Sequence, residues 1–574
     1  MQVEELHWLN EDSKNFLNSG YTIPGETPEG AIDRIGDGAE KRHGHKRPGI
    51  GERVKYHLRM GHFSASSPLW ANFNVPLEVR KGLPISCFGA QIGDSVPEII
   101  YTLGEQAMMS YIGGGTSTYW GDVRGRGAAI TGGSTSEGSF SFIPMYEEMI
   151  KTISQGGVRR GHMAVYQDIE HPDIKEWLRI QAEGNPVQVL TYGVCISDEW
   201  WESMLPNPET EYPGDPEKQD IIAQVLESRE KRGLPYIFFK GNANRNKPEV
   251  YKIKNKEIKA SNLCTEIMLP YEKDESFVCC LASMNIALYD SWKNTDAIEV
   301  LVYLLDAVLD EFTEKVKGLG PDVEYFLKKT VNFVNNHRAL GIGALGWHSY
   351  LQSKMIPFGS TKAIFETGDI FREIQNKAIK ASEDMVVKYG YTRPNIFEGT
   401  DIQMRHSTLT AVAPTKSSSA ILGQVSPGIE PYETNYFVKD LAKTKTTFKN
   451  PYLTKLLKEK GMDNEQVWLS ILQNGGSIQH LDFLDPLEKD VFRTFSEISQ
   501  LAIIQQASVR QNYLCQGQSI NLKILPSTPI RDVLKLIREA KDLGILSLYY
   551  QYSVNAAQAK FAKKSLEECD ICSA

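Results

Sequence analysis

Apolar residues return along this chain in two rhythms. From Ala297 to Lys317, Ile298, Leu301, Leu305, Val308 and Phe312 recur at three- and four-residue spacing, which predicts a helix with one buried face, ending at Gly318. Between such helical stretches lie short β-rich runs. Leu83–Ile92 (LPISCFGAQI), Val187–Ile196, Phe277–Ala287 and Thr408–Ala413 each predict a strand. After the first of them, Ser95-Val-Pro-Glu98 provides a helix N-cap with proline early in the first turn. Strands alternating with helices predict an α/β fold.

The end of the chain carries the clearest unit. SINLKIL is a strand, PSTP a turn, Arg531–Leu543 a helix stopped by Gly544, and ILSLYY a second strand, which makes a βαβ unit with parallel strands. Tyr549 and Tyr550 then fall at the C-terminal end of a parallel strand, where α/β folds commonly place their chemistry. Beyond them FAKKSLEECDICSA has no apolar face and predicts a mobile tail. At the other end the stretch GDGAEKRHGHKRPGIG predicts a cap or arm outside the core. The expected division is a short, mainly helical N-terminal region 1–75, a central unit 76–555 and a tail 556–574, with no internal repeat.

Composition narrows the function. A formal charge of −9 argues against duplex nucleic acid as the main partner, since phosphate neutralisation needs a basic face. The start MQVEELHWLNEDSK has neither the basic nor the apolar part of a secretory signal, and Glu299, Asp306 and Asp310 break the most apolar long segment, so no membrane span is predicted and a cytoplasmic protein is expected. There the eight cysteines, at 87, 195, 264, 279, 280, 515, 569 and 572, should be reduced unless they turn over. A single CxxC, with no second pair at zinc-finger spacing, predicts no structural metal site.

Five places offer chemistry. In SNLCTEI, Asn262, Cys264 and Glu266 alternate, so an extended segment would turn amide, thiol and carboxylate to one face; the plainer alternative is a buried cysteine between solvated neighbours. Cys569 and Cys572 on a tether suit two-electron exchange with a buried thiol, for which Cys87 and either Cys279 or Cys280 are candidates. APTKSSSAILG runs from a strand into hydroxyls and free amides fit for an anion. GGVRRG is a loop whose arginines reach phosphate, or an ordinary turn. Tyr549 and Tyr550 are core and rim residues, or a relay of oxidising equivalents.

In combination these motifs resemble the large subunit of a class I ribonucleotide reductase, over most of the chain from about Ser64. NLCTEI resembles that family's finger loop, ISCFG and CCLAS its redox-thiol segments, PTKSSSAILG with IEPYETN its substrate-phosphate region, LYYQ its tyrosine pair and CDIC its terminal dithiol. The resemblance implies a ten-stranded α/β barrel and reduction of ribonucleoside diphosphates to 2′-deoxyribonucleoside diphosphates. Cys264 would become a thiyl radical, Glu266 would deprotonate the 3′-hydroxyl and Asn262 would position the substrate. Cys87 and Cys279 would supply two electrons, Cys279 being preferred to Cys280 by its spacing to Leu281. Cys569 and Cys572 would re-reduce them, in turn reduced by thioredoxin or glutaredoxin. Tyr549 and Tyr550 would carry the radical from a small subunit that holds the metal site. Ser67, Ser86, Gly114, Gly115, Thr415, Ser417 and Ser418 would surround the substrate. Asp94, Arg124 and Arg159 would read a dNTP or ATP effector, with magnesium, across a homodimer interface. The family's additional N-terminal ATP-binding domain does not fit the short N-terminus. Two alternatives stand beside this reading, an adenosylcobalamin-dependent reductase, which would need no tyrosine relay, and a nucleotide-binding protein without chemistry, which would need no thiols.

Overall fold

The runs that alternate in the sequence form strands, and the strands close on one another. The computed structural model describes residues 4–153, 161–206, 213–441 and 444–553. Its strands are β1 (Phe63–Ala65), β2 (Cys87–Gln91), β3 (Gly115–Tyr119), β4 (Met163–Asp168), β5 (Thr191–Ile196), β6 (Tyr236–Phe239), β7 (Phe277–Asn285), β8 (Leu340–Leu345), β9 (Tyr436–Leu441), β10 (Thr444–Lys449), β11 (Leu522–Ile524), β12 (Ser547–Leu548) and β13 (Gln551–Ser553).

β2 to β6 are parallel neighbours in chain order, and parallel pairing obliges each connection to cross over the outside, mostly as helix. β7 lies antiparallel to β2 and parallel to β8. From β8 the ladder passes to 408–412 and on to 516–519, with Ile342 N donating to Leu409 O (2.8 Å) and Val412 N to Gly517 O (3.0 Å). It continues from 520–522 to 549–550, where Tyr549 N donates to Ile520 O (2.8 Å) and Leu522 N to Tyr550 O (3.0 Å). β12 then pairs antiparallel with β6. Two sets of five parallel strands therefore meet at two antiparallel seams, β2/β7 and β6/β12, and form a ten-stranded α/β barrel. β1 extends the β7 edge, and β9 and β10 form a separate hairpin beside a smaller core built on Leu453, Trp468 and Phe492.

Three elements are corrected by the structure. The run from Val187 is a strand only from Thr191, because the Gln188, Val189 and Leu190 amides donate to the buried Glu147 carboxylate instead of a neighbouring strand (2.9 to 3.1 Å). The Ala297–Gly318 helix, by contrast, ends at Gly318 as expected, and the chain turns just beyond it at Gly320, whose φ is +99°. The parallel partner of β11 is β13, while β12 pairs antiparallel with β6, so Tyr549 and Tyr550 occupy the step between two pairings and not the end of one strand. The N-terminal region is helical, over Glu11–Asn18, Pro28–His43 and Ile50–Arg59, but it is not an arm: Ile32, Ile35, Val54 and Leu58 belong to the barrel's own core. Its glycines serve packing. A Cβ on Gly36 would meet Gly51 O at 2.8 Å and one on Gly51 would meet Gly36 O at 2.6 Å, so the two helices touch backbone to backbone.

No helix among the described residues is long and apolar enough to cross a membrane. The acid that interrupts the apolar helix, Asp306, is fully buried and holds the Arg338 guanidinium (2.6 Å), Arg405 Nε (3.3 Å) and His406 Nε2 (3.0 Å). Those guanidiniums keep its carboxyl well below the usual range despite burial. His43, Asp306 and Asp310 lie close enough to share a cation, but the two guanidiniums already balance the acids. Asp306→Ala leaves the buried Arg405 and Arg338 guanidiniums with only Asp310, on Arg338, to balance them, and is expected to cost about 3–5 kcal/mol, read as a lower midpoint in chemical denaturation.

Candidate active site

The segment from Ser261 to Ile267 is not a strand. It is a tight turn inside the barrel, and Thr265 takes a φ of +69°, a region that a β-branched residue enters only when its surroundings force it. The surroundings are explicit. Ser519 Oγ donates to the Cys264 carbonyl (2.5 Å), Ser547 Oγ to the Thr265 carbonyl (2.7 Å), Tyr166 OH to the Asn262 carbonyl (2.6 Å) and Gly517 N to the Glu266 carbonyl (2.8 Å). These donors come from both five-strand sets, so the loop is held from opposite walls.

Turning the backbone brings together what alternation in a strand was expected to align. Asn262 Nδ2 donates to Glu266 Oε1 (3.0 Å) and to Cys87 Sγ (3.3 Å), and Tyr549 OH donates to Cys264 Sγ (3.6 Å). Burial pushes the Glu266 carboxyl up to about 7, against hydrogen bonds from Asn262 and Ser519 that favour the anion. The group therefore sits near half-ionisation at neutral pH.

Cys87 and Cys279 are direct partners across the antiparallel β2/β7 seam. Opposed residues in such a seam have Cα atoms about 4.5–5.5 Å apart, within the range a disulfide spans. Cys280 is one residue further and points through the sheet to the other face, towards Asp306 and Arg338. Gln516 Nε2 approaches Cys279 Sγ (3.7 Å), and burial raises that thiol well above its ordinary range. All six described cysteines are thiols.

Around this centre Ser86 Oγ is buried with no hydrogen-bond partner among the described residues, a donor left for something absent. A Cβ on Gly114 would stand 2.1 Å from Phe88 and one on Gly115 2.9 Å from Leu263, so Gly114 makes room for the Phe88 ring of β2 and Gly115 permits the turn to approach β3. Ser67 starts a short buried helix after β1, and the Lys416–Ile421 helix packs beside β1 with Ser417 and Ser418 buried. Thr415 Oγ1 accepts from Gly428 N (2.6 Å) and shares a cleft with Lys416, Glu430, Asn521, Tyr549 and Tyr550. Asp94 and Arg124 stand apart on the surface, paired at 2.8 Å, with Ser95 and not Asp94 capping the Val96–Tyr111 helix. Arg159, Cys569 and Cys572 lie outside the described residues.

Ser519, Ser547, Tyr166, Gln516 and Glu430 were not singled out from the sequence. Ser519, Asn521 and Lys523 do alternate in QGQSINLKIL, and their partners show a shared face: Glu266 for Ser519, Glu430 for Asn521 and Glu433 for Lys523. Tyr166 and Ser547 carry no local signal, because what they bind is far away in sequence.

A barrel with buried thiols around an inner loop defines the class, and the comparisons agree. The family model described as ribonucleotide reductase, barrel domain, matches residues 85–216, 208–403 and 398–551. The chain belongs to the ribonucleotide reductase family. Its structure is similar to the Actinobacillus ureae class Id ribonucleotide reductase alpha subunit, at TM-score 0.88 and 49% identity over 97% of this chain and 100% of that one. The ribonucleoside-diphosphate reductase large subunit of Invertebrate iridescent virus 3 is 31% identical over 82% of this chain and 83% of its own. A Frog virus 3 relative is 34% identical over 93% and 94%.

Tyr166→Phe leaves the buried Asn262 carbonyl without its donor. A loss of about 1–3 kcal/mol is expected in equilibrium unfolding.

Proposed function

We propose that this chain is the catalytic large subunit of a ribonucleoside-diphosphate reductase and that Cys264 carries its chemistry as a transient thiyl radical. The observation that carries the proposal is the convergence of Cys264, Glu266, Asn262 and Cys87 on one buried turn, with the Tyr549 hydroxyl on the Cys264 sulfur.

The residues divide the work as follows. The radical arrives from a metal-bearing small subunit by way of Tyr550 and Tyr549, whose ring centroids are 4.4 Å apart. The Cys264 thiyl removes the 3′ hydrogen of the ribose, and Glu266, ionised at neutral pH in a large fraction of molecules, accepts the 3′-hydroxyl proton. The 2′-hydroxyl leaves as water with a thiol proton. Cys87 and Cys279 together give two electrons and two protons and become a disulfide, after which Cys264 returns its hydrogen to C3′. The raised pKa of Cys279 suits this step, because a neutral thiol donates hydrogen whereas a thiolate attacks as a nucleophile. Asn262 holds the carboxylate and orients the substrate, and Ser86 and Ser67 receive its hydroxyls. Thr415, Ser417 and Ser418 receive the diphosphate, beside Lys416.

Re-reduction passes to Cys569 and Cys572 and then to thioredoxin or glutaredoxin. Asp94, Arg124 and Arg159 form the effector site at a homodimer interface. Support for the dimer comes from Val96, Ile100 and Tyr325, which are 60%, 45% and 62% exposed on two helices in contact beside Asp94. Magnesium would enter on the effector's phosphates, because Arg124 already holds the Asp94 carboxylate.

Reduction of CDP with dithiothreitol and ATP is expected with the small subunit present and not with the chain alone; activity with adenosylcobalamin alone would overturn the relay. Cys264→Ala should abolish turnover and leave nucleotide binding intact, and loss of both would mean the thiol is structural. Ser519→Ala removes a donor that favours the Glu266 anion. The carboxyl's pKa rises, and the acid limb of the kcat/KM profile is expected to move above its wild-type position near pH 7.

A further inference from the structure

The relay proposed above ends inside the protein at Tyr550, and the rings do not. Tyr550 and Tyr552 are two residues apart where the chain enters β13, so they share a face, and their rings stack at 5.9 Å between centroids and 29° between planes. Tyr549 is buried, Tyr550 and Tyr552 are half-buried, and all three border the cleft that contains Lys416 and Glu430. Tyr236 also touches the pair, at 4.9 and 5.1 Å, but it is fully buried on the opposite side and leads nowhere towards solvent. The phenols thus form a line from the Cys264 sulfur through Tyr549 and Tyr550 to Tyr552.

We propose that Tyr552 is a third station of this relay, the one through which the oxidising equivalent enters the chain from the partner subunit; this rests on the relay reading above. The step balances. Tyr552 gives one electron to the partner's one-electron oxidant and its phenolic proton to water at the mouth of the cleft. The resulting phenoxyl takes a hydrogen atom from the Tyr550 hydroxyl, that phenoxyl takes one from Tyr549, and the last takes one from the Cys264 thiol. Three phenols are restored and one thiyl radical remains; after turnover the same transfers run backwards. A half-buried outermost station suits this duty, since it has water for its proton and a surface for its partner, while the innermost ring, Tyr549, is buried against the Cys264 sulfur.

The test uses the whole chain with its small subunit, CDP and ATP. Tyr552 is replaced by 3-aminotyrosine, which is more easily oxidised and holds the radical it receives. An aminotyrosyl radical is expected in the electron paramagnetic resonance spectrum, growing as the partner's own radical declines, and Tyr552→Phe is expected to lower turnover at least tenfold with nucleotide affinity unchanged. A radical trapped with the analogue at position 550 but not at 552 overturns the proposal, even if Tyr552→Phe is slow, because a packing defect slows turnover without making a radical. Wild-type turnover in Tyr552→Phe overturns it as well. A radical at neither position would instead sink the relay reading itself.

Discussion

Everything at this site depends on a strained turn held inside the barrel by donors from opposite walls. Thr265 sits where a threonine would not stay unaided, and the hydroxyls of Tyr166, Ser519 and Ser547 hold the carbonyls on either side of it. Such strain persists only where the surroundings over-determine it. The fold supplies that condition: because the barrel closes, its interior is walled on every side, and a loop entering it can be bonded from both five-strand sets at once. An open sheet of the same strands would offer one wall and leave the turn free to relax, with Cys264 and Glu266 no longer fixed against each other.

The same closure creates the two antiparallel seams, and each carries part of the chemistry. At β2/β7 the reversal of direction sets Cys87 against Cys279 residue for residue, which a parallel neighbour, with its slanted bonds, does not do. At β6/β12 the chain changes partner between β12 and β13, and in that step the Tyr549 and Tyr550 rings meet, tilted, at 4.4 Å between centroids in place of turning to opposite faces. Oxidant and reductant are thereby kept on different walls of the barrel. The inner turn touches both, through Cys264 on one side and Asn262 on the other.

Much of this was legible in the sequence wherever the signal is local. The apolar stripe of Ala297–Gly318, the strand at Cys87 and the helix ended by Gly544 follow from periodicity and caps, and the motif around Cys264 identified the family. What was not legible is what distance in sequence hides. Residues 408–413 and the start of SINLKIL read as full strands, but the structure holds 408–413 and 516–520 in the barrel mostly by individual bonds and single bridges. The strand from Val187 started late because a carboxylate forty residues earlier satisfies its amides. The N-terminal glycines suggested looseness, and the structure uses them for backbone contact between helices. Glycine spacing cannot separate these two uses, because the partner that makes the difference is another helix.

Burial acts in the same direction on the two kinds of group at the centre, to different ends. It raises the Cys279 thiol away from ionisation, which keeps that sulfur a hydrogen donor. It raises Glu266 only to about 7, because its own backbone amide, Asn262 and Ser519 resist it, and a carboxyl at that value can take a proton from a hydroxyl and give it back. A drier turn without those two donors would hold the carboxyl protonated and unable to act as a base. A wetter one would ionise it fully and weaken it as an acceptor, while opening the radical on Cys264 to solvent. The pair of hydrogen bonds from Asn262 and Ser519 is thus the setting that allows a buried radical site and a working base to occupy the same turn.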